Sequence, residues 1–131
     1  MSGETNLQAL LKNMTPTLNE GDYVFCTIEE LSIIDINKAI CFFKEAEAYT
    51  IVIKKSLADE LRLTYSYVAA WITLTVHSSL DAVGLTAAFS NALADNGISC
   101  NVVAAFYHDH IFVHRKDAEK AMKVLKALSE N

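Results

Sequence analysis

The run His77-Ser78-Ser79-Leu80-Asp81-Ala82-Val83-Gly84 gathers hydroxyls, a carboxylate and a glycine between an alternating apolar segment and a helical one. Where a strand passes into a helix, the first helical amides lack partners and the positive end of the dipole faces outward. A small carboxylate fits such a junction, and Gly84 removes the Cβ that would obstruct its approach. Ser78 and Ser79 offer further hydrogen bonds, and Asp81 suits a ligand's ammonium group. A plain helix cap by Ser79 or Asp81 explains the same residues without any ligand.

The second group is His108-Asp109-His110, with His77 and His114 elsewhere in the chain. Two or three imidazoles and a carboxylate can hold zinc or a similar metal. However, His108 and His110 stand one residue apart at a turn, with neither an HExxH helix nor a cysteine beside them. A solvated hairpin tip, or the border of the loop site, accounts for His77, His108, Asp109 and His110 better. No metal and no cofactor is expected. Catalytic residues are not expected either: GxSxG, GxGxxG and GxxxxGK[ST] are all absent. Cys26, Cys41 and Cys100 lie in apolar, strand-like runs that do not activate a thiol. Lys54-Lys55 and Arg115-Lys116 recur at matching places and read as solvated strand ends.

The 131 residues are 52% hydrophobic and 21% charged, with one proline and four glycines, a densely cored composition. A net charge of −5 without a basic face argues against nucleic acid. An odd, widely spaced set of three cysteines points to a reducing compartment. No apolar run reaches the roughly 18 residues a membrane span needs. Residues Met1 to Thr5 carry no basic-then-apolar leader, so a cytoplasmic location is expected.

These residues need elements to position them. Residues 71–76 alternate, with Ile72, Leu74 and Val76 on one face, and predict a strand. Leu85, Ala88, Phe89, Ala92 and Leu93 then give a helical stripe, stopped at Asn96-Gly97. Strands follow at 98–106 and 111–113, around a turn at 107–109. In this arrangement His110 would lie near the end of the first strand, close to His77. Asp117 would cap a last helix with the stripe Ala118, Ala121, Met122, Leu125 and Leu128. The N-terminal half opens with a helix bearing Leu7, Leu10, Leu11 and Met14, broken before Pro16. A strand at 23–28, an ambiguous stretch at 29–39, a hairpin of 40–44 with 49–54, and a brief helix at 56–63 complete it.

The halves look like a repeat: 23–28 matches 71–76, and 51–56 matches 111–116. The second spacing is longer by about one three-turn helix, as if the first unit had lost most of its first helix. Both units read β-α-β-β-α, and each lacks a closing strand that the other half can donate. The expected domains are therefore a degenerate unit at 1–65 and a complete one at 66–131, forming one interlocked body.

Asp81 to Leu85, the helix ending at Leu93-Ala94, and Asn96-Gly97-Ile98 with the following Asn101-Val102 together resemble the ACT domain. The resemblance covers residues 71–128 and is similar to small stand-alone tandem ACT proteins related to the regulatory half of aspartate kinases. Phe43 to Glu47, Trp71 to Leu74 and His77 to Leu80 also fit that group. Val83 stands where the family usually has a proline. The resemblance implies an α+β, ferredoxin-like fold of tandem ACT-like units, mainly antiparallel sheets with helices on one face. It also implies binding of a small molecule, commonly an amino acid, between units. Ser78, Ser79, Asp81, Val83, Gly84 and Leu85 would hold it, and Asn101 and Val102 of a neighbouring unit would close the site.

A homo-oligomer, dimer or higher, follows from the free sheet edges of such units. The expected function is non-catalytic sensing of a small molecule, with no nucleic acid or membrane partner. Two rivals remain open. One is a ligand-free interaction module or a subunit of a separately encoded enzyme or transporter. The other is a small metal-dependent enzyme using His77, His108 and His110.

Overall fold

The computed structural model describes residues 6–76 and 82–130. In chain order the elements are α1 (Leu7–Asn13), β1 (Thr15–Leu18), β2 (Tyr23–Ile28), β3 (Cys41–Lys44), β4 (Tyr49–Lys54), α2 (Lys55–Glu60), β5 (Val68–Thr75), α3 (Leu85–Asp95), β6 (Asn101–Ala104), β7 (Asp109–His114) and α4 (Ala118–Glu130). Two 3₁₀ turns, Leu31–Ile33 and Ile36–Lys38, stand between β2 and β3, and a third, Arg115–Asp117, leads into α4. The fold is α+β, and every strand pair whose register is resolved is antiparallel.

The chain divides into two compact units, Met1–Glu20 with Ala70–Asn131, and Gly21–Ala69. The division falls inside β5.

In the larger unit the strand order is β1-β5-β7-β6. Alternation along β5 sends Ile72 and Leu74 to one side, where Ile111 and Val113 of β7 join them. Leu85, Phe89 and Leu93, at i, i+4 and i+8 of α3, and Ala118, Ala121 and Leu125 of α4 cover that side. Leu10 and Met14, from α1 and its C-cap, are buried in the same core. Asn6 starts α1 by accepting from the Ala9 amide at 3.1 Å. Helix α3 ends as its sequence foretells: Gly97 takes φ +73°, and the amides of Gly97 and Ile98 return to the carbonyls of Ala94 and Leu93.

The strand that closes this unit is β1, paired with β5 from Thr15↔Thr75 to Leu18↔Ile72. The sequence gives no sign of it. Four residues, Thr-Pro-Thr-Leu, are too few for periodicity, and a proline argues against a strand. Pro16 is accommodated because β1 is paired on one side only, so the missing N–H costs no ladder bond. The strand expected at 98–106 is shorter, Asn101–Ala104, and Asp117 belongs to the 3₁₀ turn before α4.

In the smaller unit β2 lies between β4 and the opening residues of β5, with Tyr23↔Ala69 and Val24↔Val68 in register. β3 pairs with the other side of β4. Val24, Cys26, Ile28, Ile51 and Ile53 meet Ile34 and Ala58 in a separate core. The ambiguous stretch at 29–39 resolves into the two 3₁₀ turns, which occupy the place that α3 fills in the larger unit.

Leu10 is 1% exposed, so Leu10→Ala removes a filled side chain from the larger unit's core. We expect a loss of about 3 kcal/mol in urea unfolding of the full chain. A loss below about 1 kcal/mol would show that α1 is not part of that core.

Candidate functional site

The junction between β5 and α3 is described from Ala82 onward; His77, Ser78, Ser79 and Asp81 lie outside the described residues. Gly84 is the N-cap of α3, with φ +95° and ψ −12°, and has no side chain with which to cap it. That left-handed backbone is open to glycine at little cost and strained for other residues. The Gly84 carbonyl accepts from the Ala88 amide at 2.9 Å, which closes the first helical turn. Val83 is 83% exposed, while Leu85 is buried in the core. A Cβ at Gly84 would stand 3.3 Å from Leu7 Cδ2, so α1 bounds the junction on one side. Sequence reasoning missed Leu7, because its position depends on the unforeseen β1.

Asn101 and Val102 sit at the start of β6, an edge strand of the larger unit. Val102 packs against the core, whereas Asn101 points to the other side and donates from Nδ2 to the Phe112 carbonyl at 3.3 Å. Asn101 is in register with Phe112, whose ring stacks with Trp71 in the first half of β5 at a centroid distance of 6.4 Å. The register thus sets Asn101 beside the first half of β5, whereas Gly84 follows the other end of that strand in sequence; no hydrogen bond joins the two among the described residues.

The histidines have an unexpected neighbour. Trp71 Nε1 donates to His110 Nδ1 at 3.0 Å, and Thr73 Oγ1 lies 3.3 Å from the same nitrogen. His110 is therefore beside the middle of β5, not at its end as the sequence suggested. Asn19, directly after β1, donates from Nδ2 to Thr73 Oγ1 at 2.9 Å, and its backbone amide donates to the Trp71 carbonyl. An indole N–H only donates, so His110 Nδ1 must be the acceptor and Nε2 carries the proton. His108 stands edge-on to His110, with ring centroids 6.2 Å apart. Its Nδ1 is buried and has no hydrogen-bond partner among the described residues. Asp109 is buried in register with Ala104.

Burial holds His110 below its ordinary pKa, and the nearby His108 adds to the effect. Burial pushes the Asp109 carboxyl up, against a smaller downward pull from His108. Among the described residues, no three His, Cys, Asp or Glu side chains gather as a metal site requires. The thiols of Cys26, Cys41 and Cys100 are all raised by burial, the reverse of what a nucleophile needs. What these residues offer is hydrogen bonding and backbone dipoles, which bind and orient.

The His110 arrangement has a defined pH dependence. Its folded pKa lies below the unfolded value of 6.5, so its stabilising share is complete above that value. That share is lost as pH falls through 6.5 toward the folded pKa, because the unfolded chain then binds more protons. Asp109 works in the opposite sense at lower pH, from 3.8 upward to its raised value. Trp71 is the single tryptophan, so its fluorescence should titrate with a midpoint below 6.5. His110→Gln should abolish that step; a step that persists in the variant assigns it elsewhere.

A family model described as "ACT domain" matches residues 2–70, and a second model of the same description matches residues 66–127. No curated protein matches the chain significantly. A solved protein of unknown function from Vibrio cholerae, titled "Possible Transport Protein", is 46% identical, with a TM-score of 0.86. That match covers 94% of this chain and 95% of the other. The ligand-free regulatory subunit of aspartate kinase from Thermus thermophilus is 11% identical over 86% of this chain and 95% of its own, with a TM-score of 0.58. Aspartokinase III from E. coli, solved with aspartate and ADP, is 12% identical, with a TM-score of 0.63. It is matched over 93% of this chain but 34% of its own length. The two kinase structures share the fold.

Proposed function

Because the chain belongs to the ACT domain family, we propose that it is a non-catalytic regulatory protein whose ligand is a small molecule of the amino-acid type. The observation that carries this reading is Gly84: a left-handed residue without a side chain opens α3 and leaves its first amides unshielded by the N-cap. The ligand's carboxylate is received by those amides and by the positive end of the α3 dipole. Ser78, Ser79 and Asp81 supply the remaining contacts from the same loop, with Asp81 meeting the ammonium group. Leu7 walls one side, so the ligand approaches from the other.

Asn101 lies beside the first half of β5 and Gly84 follows its other end in sequence, so in this reading one unit does not bring both to one ligand. The site is completed across a neighbouring unit or a second copy of the chain, with Asn101 and Val102 on the edge strand β6 as the second half. Asn101 has committed its Nδ2 to Phe112, and its amide oxygen remains to accept from the ligand. A homo-oligomer follows from this division, and His108, Asp109 and His110 border the site. A cytoplasmic location agrees with three free cysteines and raised thiol pKa values. No helix among the described residues is long and apolar enough to cross a membrane.

A second reading is supported by the likeness to the Vibrio cholerae protein, described as a possible transport protein: an interaction subunit of a separately encoded enzyme or transporter, without a ligand of its own. A thermal-shift panel of the twenty amino acids separates the two. At about 100 times its Kd, one of them should stabilise the protein by about 2.7 kcal/mol. Asn101→Ala should remove that shift while costing the free protein no more than about 1 kcal/mol for the lost bond to Phe112. A flat panel leaves the interaction-subunit reading in its place.

A further inference from the structure

The smaller unit carries a concavity that the junction at Gly84 does not use. Two 3₁₀ turns stand where the larger unit has the eleven-residue α3. A cavity of about 580 Å³ opens there, between the second 3₁₀ turn, the end of β4 and the start of α2. Its volume lies within the roughly 300–1,000 Å³ of ordinary small-molecule pockets.

Its lining has a distinct pattern. Ile40 and Leu57, both half-buried, provide an apolar floor. Lys38 and Lys54 reach it from two different elements, and Ser56 adds a hydroxyl. Glu60 contributes one carboxylate, so the lining keeps a net positive charge within a chain of net charge −5. The next lysine, Lys55, is neutralised by Asp59 at 2.9 Å. Among the described residues, neither Lys38 nor Lys54 takes part in an ion pair. Two unanswered ammonium groups facing one concavity, around an apolar floor, call for a ligand that brings its own negative charges.

We propose that this cavity binds a small dicarboxylic acid: Lys38 and Lys54 hold its carboxylates, Ile40 and Leu57 receive its methylene stem, and Glu60 favours members that also carry an amino group. The site is independent of the junction at Gly84 and lies wholly within the smaller unit. It also gives a role to Lys54, whose sequence reading was a solvated strand end with contact to a ligand carboxylate as the alternative.

The test is an amide-resolved NMR titration of the full chain with L-glutamate, glutarate and inorganic phosphate in turn. Saturable shifts with both organic acids should centre on residues 37–40 and 54–60. Lys38→Ala and Lys54→Ala should each weaken binding about fivefold, and the double variant about 25-fold. Glu60→Gln should weaken L-glutamate while leaving glutarate unchanged or tighter. All these residues but the floor are exposed, so the variants should keep the parent's spectrum outside the cavity. The proposal is overturned if no acid perturbs these amides, or if the double variant binds as well as the parent. Binding of phosphate alone, or shifts confined to residues 82–102, overturns it equally.

Discussion

The larger unit depends on the pairing of β1 with β5. A chain that runs strand, helix, strand, strand, helix leaves its first strand bare on one side, with a row of unanswered amides and carbonyls. Thr15–Leu18 answers them from the far end of the sequence, in register from Thr15↔Thr75 to Leu18↔Ile72. Three other features follow from that pairing. The segment before β1 becomes α1, which adds Leu10 and Met14 to the core and lays Leu7 against Gly84. The residue after β1, Asn19, is delivered to Thr73 and to the Trp71 carbonyl. Through Thr73 and Trp71 it supports the hydrogen bonds that fix His110.

What could be read in advance was whatever leaves a period. β2 was legible at its observed bounds because one buried side makes Val24, Cys26 and Ile28 alternate with more exposed neighbours. The stripes of α3 and α4 were legible for a like reason, and β4 from its continuous apolar run Ile51-Val52-Ile53. β1 was not, since Pro16 is forbidden in most strands and is permitted here only by an edge that exists in three dimensions. The 3₁₀ turns at Leu31–Ile33 and Ile36–Lys38 gave no reading because one-turn elements bury too little to mark a face. Gly84 was singled out because a missing Cβ leaves a ligand's approach open; its left-handed backbone, φ +95°, is a separate finding. Its contact with Leu7 and the bond between Trp71 and His110 join distant residues, and no local pattern encodes them. Ser78, Ser79, Asp81 and His77 fall outside the described residues and remain part of the proposal.

The two units share an order of elements but not an energetic solution. The larger one buries its helix side under α1, α3 and α4, with Phe89 and Leu93 fully enclosed. The smaller one has two 3₁₀ turns and the six-residue α2, and it leaves Ile33 and Ile36 exposed beside a half-buried Ile40. A repeat that keeps its sheet but sheds a helix gives up packing area. In exchange it opens a concavity, and the residues at that opening are lysines and not the apolar groups a helix would have covered. An unneeded hole in a core collapses or is refilled, since empty space forfeits dispersion contacts. A hole edged with charge stays wet and accessible.

A regulatory protein of the kind proposed responds to a ligand only so far as that ligand binds one of its states more tightly than another. The α3 junction is suited to that because Leu7 and Gly84 link it directly to α1, and α1 is continuous with β1. Under the proposed function a ligand that enters beside Leu7 meets α1, the element that runs directly into the strand closing the sheet. Protonation of His110 at Nδ1 sets two N–H groups against each other across the Trp71 bond and leaves Thr73 Oγ1 as the acceptor for that nitrogen.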